Sequence, residues 1–245
     1  MLELLITPWW GGHEDDHMHY DMEGRTPFGH SRAEDRVVFV RNVYLWLMGG
    51  FAVAGVGAMS APYIANALVP AMGNAFIWVL FIAQFGSLMW ASAVSRRKPL
   101  NRYAYALFTY ICGVFAGILV SLVAQVSGPG VVMTAFGMTA ADFLLLTAVA
   151  VFSKADFSFL RSFTIVGLGV MFFGSLAAAI FHLETLGLLV SGVAVIACSA
   201  KILWDTSAML RTQDFSDPAG FALSLFVSLY NIFISLLRLL GGRRN

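Results

Sequence analysis

The chain has 245 residues, of which 59% are hydrophobic and only 12% charged, with a net charge of +1. Soluble domains carry about 25% charged residues, so this composition excludes a water-soluble globular protein and points to a polytopic membrane protein. The net charge says nothing about nucleic acid, but no basic patch interleaved with aromatics argues for it, which leaves the lipid bilayer as the first partner the sequence implies.

Residues 1–40 read as a flexible, polar cytoplasmic tail and residues 41–245 as a transmembrane domain. Met1 to Ile6 are too few for the apolar core of a cleavable signal, include Glu3 and run into Pro8. His13, Glu14 and His17 spell H-E-x-x-H, the arrangement by which two histidines one helical turn apart bind zinc while the glutamate activates its water. That chemistry needs a helix, a third ligand and a closed pocket. Here Gly11 and Gly12 precede the motif, carboxylates surround it, and no apolar periodicity docks it on a core. A solvated tail is the expected state; adventitious metal ligation by His13, His17 and His19 is the alternative, and metalloprotease activity a third.

Seven apolar segments follow, each long enough for a hydrocarbon core of about 30 Å, which takes roughly 20 helical residues. They run from Val43 to Ala61, Asn74 to Ser95, Tyr103 to Val126, Gly130 to Phe152, Phe157 to Phe181, Thr185 to Ala208 and Ala219 to Leu240. The residues around Pro62 to Gly73 read as a loop, and Ser127, Gly128, Pro129 and Gly130 as a tight turn. Small residues in the first span (Gly49, Gly50, Ala54, Gly55, Ala58) and in the third (Gly113, Gly117) permit close backbone approach, within the bundle or across a dimer face. Cys112 and Cys198 fall inside spans, so a disulfide framework is not expected.

Lys and Arg cluster before the first span (Arg25, Arg32, Arg36, Arg41), between the second and third (Arg96, Arg97, Lys98, Arg102), after the fourth (Lys154, Arg161) and after the sixth (Arg211). The positive-inside rule then puts the N-terminus in the cytoplasm, with a bacterial cytoplasmic membrane the simplest location and an organelle membrane the alternative. Seven crossings put the C-terminus outside, which Arg238, Arg243 and Arg244 contradict. Either the last helix is re-entrant or it is translocated despite its charges.

Charged residues within spans are expensive and mark candidate sites. Asp142, near the middle of the fourth span, has to be protonated, paired or facing water; a structural carboxyl and a transport role both fit. Lys201 and Asp205 are one turn apart on the sixth span, either as an intrahelical pair near the interface or with Asp205 closing the cytoplasmic end of a polar path. Arg238 is the alternative partner of Asp205 or an interfacial anchor. In the last span Ser224, Ser228, Asn231 and Ser235 share one helical face, so that helix has a hydrogen-bonding side and belongs within the bundle. Beyond the tail motif there is no nucleophile elbow, phosphate loop or paired acid and base, and neither an enzyme nor a bound cofactor is expected.

Several segments carry a family resemblance. They are Arg41-Asn42-Val43-Tyr44, Thr139-Ala140, Lys154 to Leu160, Ile202-Leu203-Trp204-Asp205-Thr206-Ser207, and Ser228 to Phe233 with Leu236-Leu237 and Leu239-Leu240-Gly241. In order and helix placement they resemble the Bax inhibitor-1 superfamily, in particular its bacterial YccA-type branch, over nearly the whole chain after the tail. The resemblance implies an all-α integral membrane fold of seven transmembrane helices, six wrapped around a central C-terminal helix. It further implies a pH-sensitive cation (Ca2+) leak closed by two aspartates. Asp205 matches the first, whereas Ser228 stands where the second is expected, which leaves a degenerate gate. In that reading Asp205 binds Ca2+ as a transported ion, Ser224, Ser228 and Asn231 supply neutral oxygens, and Asp142 is a second carboxylate if it faces the path. The YccA-type branch implies the alternative role, modulation of a membrane-anchored ATP-dependent protease.

Overall fold

The computed structural model describes residues 28–73, 75–153 and 157–242, with side chains from Glu34 onward. The sequence-derived metal ligands His13, His17 and His19, together with Arg25, Lys154, Arg243 and Arg244, lie outside the described residues or side chains. Seven helices follow in chain order: α1 (Phe28–Met72), α2 (Ala75–Val94), α3 (Leu100–Ser127), α4 (Pro129–Phe152), α5 (Leu160–Ile180), α6 (Glu184–Arg211) and α7 (Pro218–Gly241). All seven are long and apolar enough to cross a membrane, and no strand occurs among the described residues. The protein is an all-α integral membrane protein.

Two units partition the chain, Met1–Val38 and Phe39–Asn245. The described part of the first is the opening of α1, with Val37 and Val38 exposed. The second holds the helical bundle.

The expected loop from Pro62 to Gly73 does not form; α1 continues to Met72 with Pro62 and Pro70 inside it. Proline removes the N–H that would bond four residues back, so Pro62 frees the Ala58 carbonyl. That carbonyl lies against Gly117 of α3, packed in protein, which is how transmembrane helices tolerate proline. The intervening Ala, Leu and Met residues favour helix once the break is accommodated. The chain then reverses at Gly73, whose φ of 54° suits glycine.

The expected turn between the third and fourth spans is present. Gly128 takes φ 90° and ψ 156°, a conformation costly for residues with a Cβ, and Pro129 opens α4 where its missing N–H is not needed. Ser127 Oγ donates to the Gly241 carbonyl at 3.1 Å, which fixes this turn and the end of α7 at the same end of the bundle. The start of α7 is tied to the opposite end, where Ser95 Oγ donates to Asp217 Oδ2 at 3.0 Å. Helix α7 therefore crosses the whole bundle, and the re-entrant alternative does not form.

Small residues set the α1–α3 contact. A Cβ at Gly113 would fall on the Ala54 backbone, and one at Gly117 on Ala58. Lipid offers no hydrophobic drive for helices to associate, so dispersion between closely approaching backbones has to supply it. Outer faces present Met59, Phe152 and Phe173. By contrast, 61% of the α7 span is buried, against 11–33% for the other six, so α7 faces protein far more than lipid. It packs on α2, α3, α4 and α6, and Phe226 brings α1 and α3 onto it through Phe51, Tyr105 and Phe108. Cys112 and Cys198 are free and buried, as expected.

Candidate functional site

Asp205 projects from α6 six residues before the helix ends, about 9 Å from its terminus at 1.5 Å per residue. Lys201 is one turn earlier on the same face. Its Nζ donates to Asp205 Oδ2 at 2.8 Å and Oδ1 at 3.1 Å. Ser224 of α7 completes the group: its hydroxyl accepts from Lys201 Nζ at 2.5 Å and donates to Asp205 Oδ2 at 2.7 Å. The side chains of Lys201 and Asp205 are 13% and 8% exposed, so most of their hydration has been replaced by each other and by Ser224. An isolated charge at the centre of a membrane helix costs about 2.5–3.5 kcal/mol, which a closed ammonium–carboxylate pair largely avoids. Lys201 also stands 5.3 Å from the Trp204 ring centroid, a further cation contact.

This group forms part of the wall of a cleft of about 460 Å³ between α2, α6 and α7. Ser92, Ser95 and Asp217 line the same cleft. Beside it, Arg96 reaches Asp217 Oδ2 at 3.6 Å and Asp214 Oδ2 at 3.2 Å, linking the α2–α3 connection to the α6–α7 connection. Asp217 has a second task, accepting from Gly220 N at 2.8 Å as the N-cap of α7. The Asp214 carboxyl is held below the ordinary carboxylate range, first by hydrogen bonds from Ser216 and then by the Arg96 charge. Sequence reading missed Asp214, Asp217, Ser95 and Arg96 as parts of one end. Asp217-Pro218 before an apolar run carried a legible signal, a capping residue followed by proline at the first helical position.

The remaining candidates do not join this cleft. Asp142 accepts from Ser199 Oγ at 2.9 Å, an α4–α6 link, and is not among the cleft-lining residues. Ser228 is fully buried and donates to the Ser224 carbonyl at 3.0 Å; Asn231 Nδ2 donates to the Val227 carbonyl at 2.8 Å. Ser235 is buried lower on α7. The polar face of α7 is thus a packing face whose groups largely satisfy their own helix, and within it Ser224 reaches the carboxylate. Arg238 is not the partner of Asp205: it is exposed at the far end of α7, 14 residues and about 21 Å along the helix from Ser224. Higher on α7, Tyr230 OH donates to Gln84 Oε1 at 3.5 Å, a contact with α2 that sequence reading did not identify. Among the described residues no three His, Cys, Asp or Glu side chains come together as a metal site.

The family described as Inhibitor of apoptosis-promoting Bax1 matches residues 36–245. The chain belongs to this Bax inhibitor-1 family. Its similarity extends to an uncharacterized protein of Campylobacter jejuni, 28% identical over 214 residues covering 87% of this chain and 92% of the relative. An uncharacterized protein of Pseudomonas aeruginosa is 30% identical over 212 residues, 85% of this chain and 92% of its own. The Escherichia coli protein named Modulator of FtsH protease YccA is 28% identical over 202 residues, 82% and 89% of the two chains. In this member of the Bax inhibitor-1 family, the α6 carboxylate meets a lysine and a serine.

Proposed function

We propose that the chain is a non-enzymatic inner-membrane protein that modulates a membrane-anchored ATP-dependent protease of the FtsH type, the role named for its E. coli relative. The observation that supports this reading over an open cation path is the position of Lys201. Its ammonium bridges both oxygens of Asp205 and so occupies the space a mobile cation needs. Calcium takes about 6–8 oxygen ligands, whereas Asp205 and Ser224 offer few and already hold a tethered positive charge. The Lys201–Asp205–Ser224 group then acts as a polar lock between α6 and α7.

In this account the end bearing Arg41, Arg96, Arg97, Lys98, Arg102 and Arg211 faces the cytoplasm. Residues 1–40, read from the sequence as a polar cytoplasmic tail, are the segment we assign to contact with the protease, and residues 41–245 are the segment we assign to the membrane domain. The test is co-purification from native membranes. Recovery of the protease with the chain supports the reading, and recovery of the chain free of protease components contradicts it.

A second reading, a pH-sensitive Ca2+ leak gated at Asp205, is favoured by one observation: the cleft reaches Asp205 and is lined also by Ser92, Ser95 and Ser224. In that reading Lys201 is a plug that has to move before an ion or proton reaches the carboxylate.

A further inference from the structure

At the end of the bundle opposite Asp205, a second cleft of about 620 Å³ opens between the α5–α6 turn and the last turn of α7. Its lining includes the exposed side chains of Arg238, His182 and Glu184 and the aliphatic side chains of Val123, Leu188 and Leu237, of which Leu237 is fully buried. Arg238 and Glu184 carry opposite charges, yet they make no ion pair within 4.0 Å with each other or with any other described residue. Opposite charges held apart over an aliphatic wall fit a ligand that itself carries both signs and a hydrocarbon portion. The place is appropriate for such a ligand, because the ends of membrane-length helices lie at the headgroup level of the bilayer.

We propose that this cleft binds the headgroup of a zwitterionic aminophospholipid. The phosphate accepts from the Arg238 guanidinium and from the His182 imidazole, the lipid ammonium donates to Glu184, and an acyl chain runs along Val123, Leu188 and Leu237. Arginine suits the phosphate because its planar fork donates two parallel hydrogen bonds. Glu184 supplies the selectivity: an anionic phosphatidylglycerol headgroup leaves this carboxylate unpaired beside a negative ligand, whereas phosphatidylethanolamine pairs it. The inference does not depend on which role the Asp205 end performs.

The test is native mass spectrometry of the full chain released from nanodiscs containing equal phosphatidylethanolamine and phosphatidylglycerol, with phosphoethanolamine added in detergent as the soluble arm. Wild type retains phosphatidylethanolamine preferentially. Arg238→Gln lowers retention of both lipids about tenfold, the loss expected for one charge-assisted contact, and Arg238→Lys restores part of it. Glu184→Gln removes the preference while leaving total lipid retention near wild type. Leu188→Trp, which fills the aliphatic wall without touching a charge, lowers retention of both lipids and so tests the same site should Arg238→Gln fold poorly. Equal retention of the two lipids by wild type overturns the proposal, as does an unchanged preference in Glu184→Gln. Thermal protection by phosphoethanolamine equal to that by the lipid overturns the assignment to a lipid.

Discussion

The ammonium of Lys201 lies 2.8 Å and 3.1 Å from the two carboxylate oxygens of Asp205, one helical turn away within α6, and both groups share the Ser224 hydroxyl of α7. A pair this enclosed depends on both members. Asp205→Asn leaves a mostly buried ammonium without its counter-charge, at a cost of about 3 kcal/mol, the lower end of the range for breaking buried pairs because both groups line an open cleft. Lys201→Met is comparably harmful. The double variant Lys201→Met/Asp205→Leu costs less than either single change, since no charge remains to be stranded. Thermal unfolding in detergent measures all three; additive losses contradict the enclosed-pair account.

Gly113 and Gly49 separate packing from helix propensity. At Gly113 a Cβ meets the Ala54 backbone, which cannot rotate away, so Gly113→Ala forces α1 and α3 apart and destabilises by about 1–3 kcal/mol. Nothing lies within 4 Å of a Cβ at Gly49. There the same substitution is neutral or stabilises by about 0.5–1 kcal/mol through helix propensity. The difference in unfolding midpoint between the two variants is the measurement.

The Arg96–Asp214 contact sets an acid limit. Because the folded carboxyl of Asp214 is depressed by Ser216 and then by Arg96, its stabilising contribution is full above the unfolded pKa of about 4 and disappears as pH falls through the folded value. Wild type and Asp214→Asn therefore differ in unfolding midpoint near neutrality and converge below pH of about 4. The group is exposed, so the gap is small and shrinks in high salt. A gap that widens on acidification contradicts the assignment.

Calcium flux separates the two functional readings. With Lys201 seated on Asp205, proteoliposomes carrying wild type take up Ca2+ no faster than those carrying Asp205→Asn, and both match protein-free liposomes. Flux in wild type that disappears in Asp205→Asn supports the leak instead.

Much of the fold was legible because membrane spans leave a strong apolar signal, and the Ser127–Gly130 turn was legible because Gly and Pro punctuate it. The Pro62–Met72 stretch was misread, since whether proline ends a helix depends on what receives the freed carbonyl; here the answer lies on α3, at Gly117. At the site, the four-residue spacing of Lys201 and Asp205 made their pairing readable, and the serine periodicity correctly marked a protein-facing side of α7. Which serine reaches Asp205 was not readable. Ser224 does and Ser228 does not, a matter of how α6 and α7 are set against each other. The association of Arg96 with Asp214 and Asp217 escaped notice because it joins two connections more than 100 residues apart in the chain.

The most direct test of the proposed role is the degradation rate of a membrane-protein substrate by the FtsH-type protease, co-reconstituted with and without this chain in the same bilayer. The account predicts that adding the chain changes the rate, and that a variant lacking residues 1–27 loses the effect while retaining the folded membrane domain. A degradation rate indifferent to the chain at saturating amounts contradicts it.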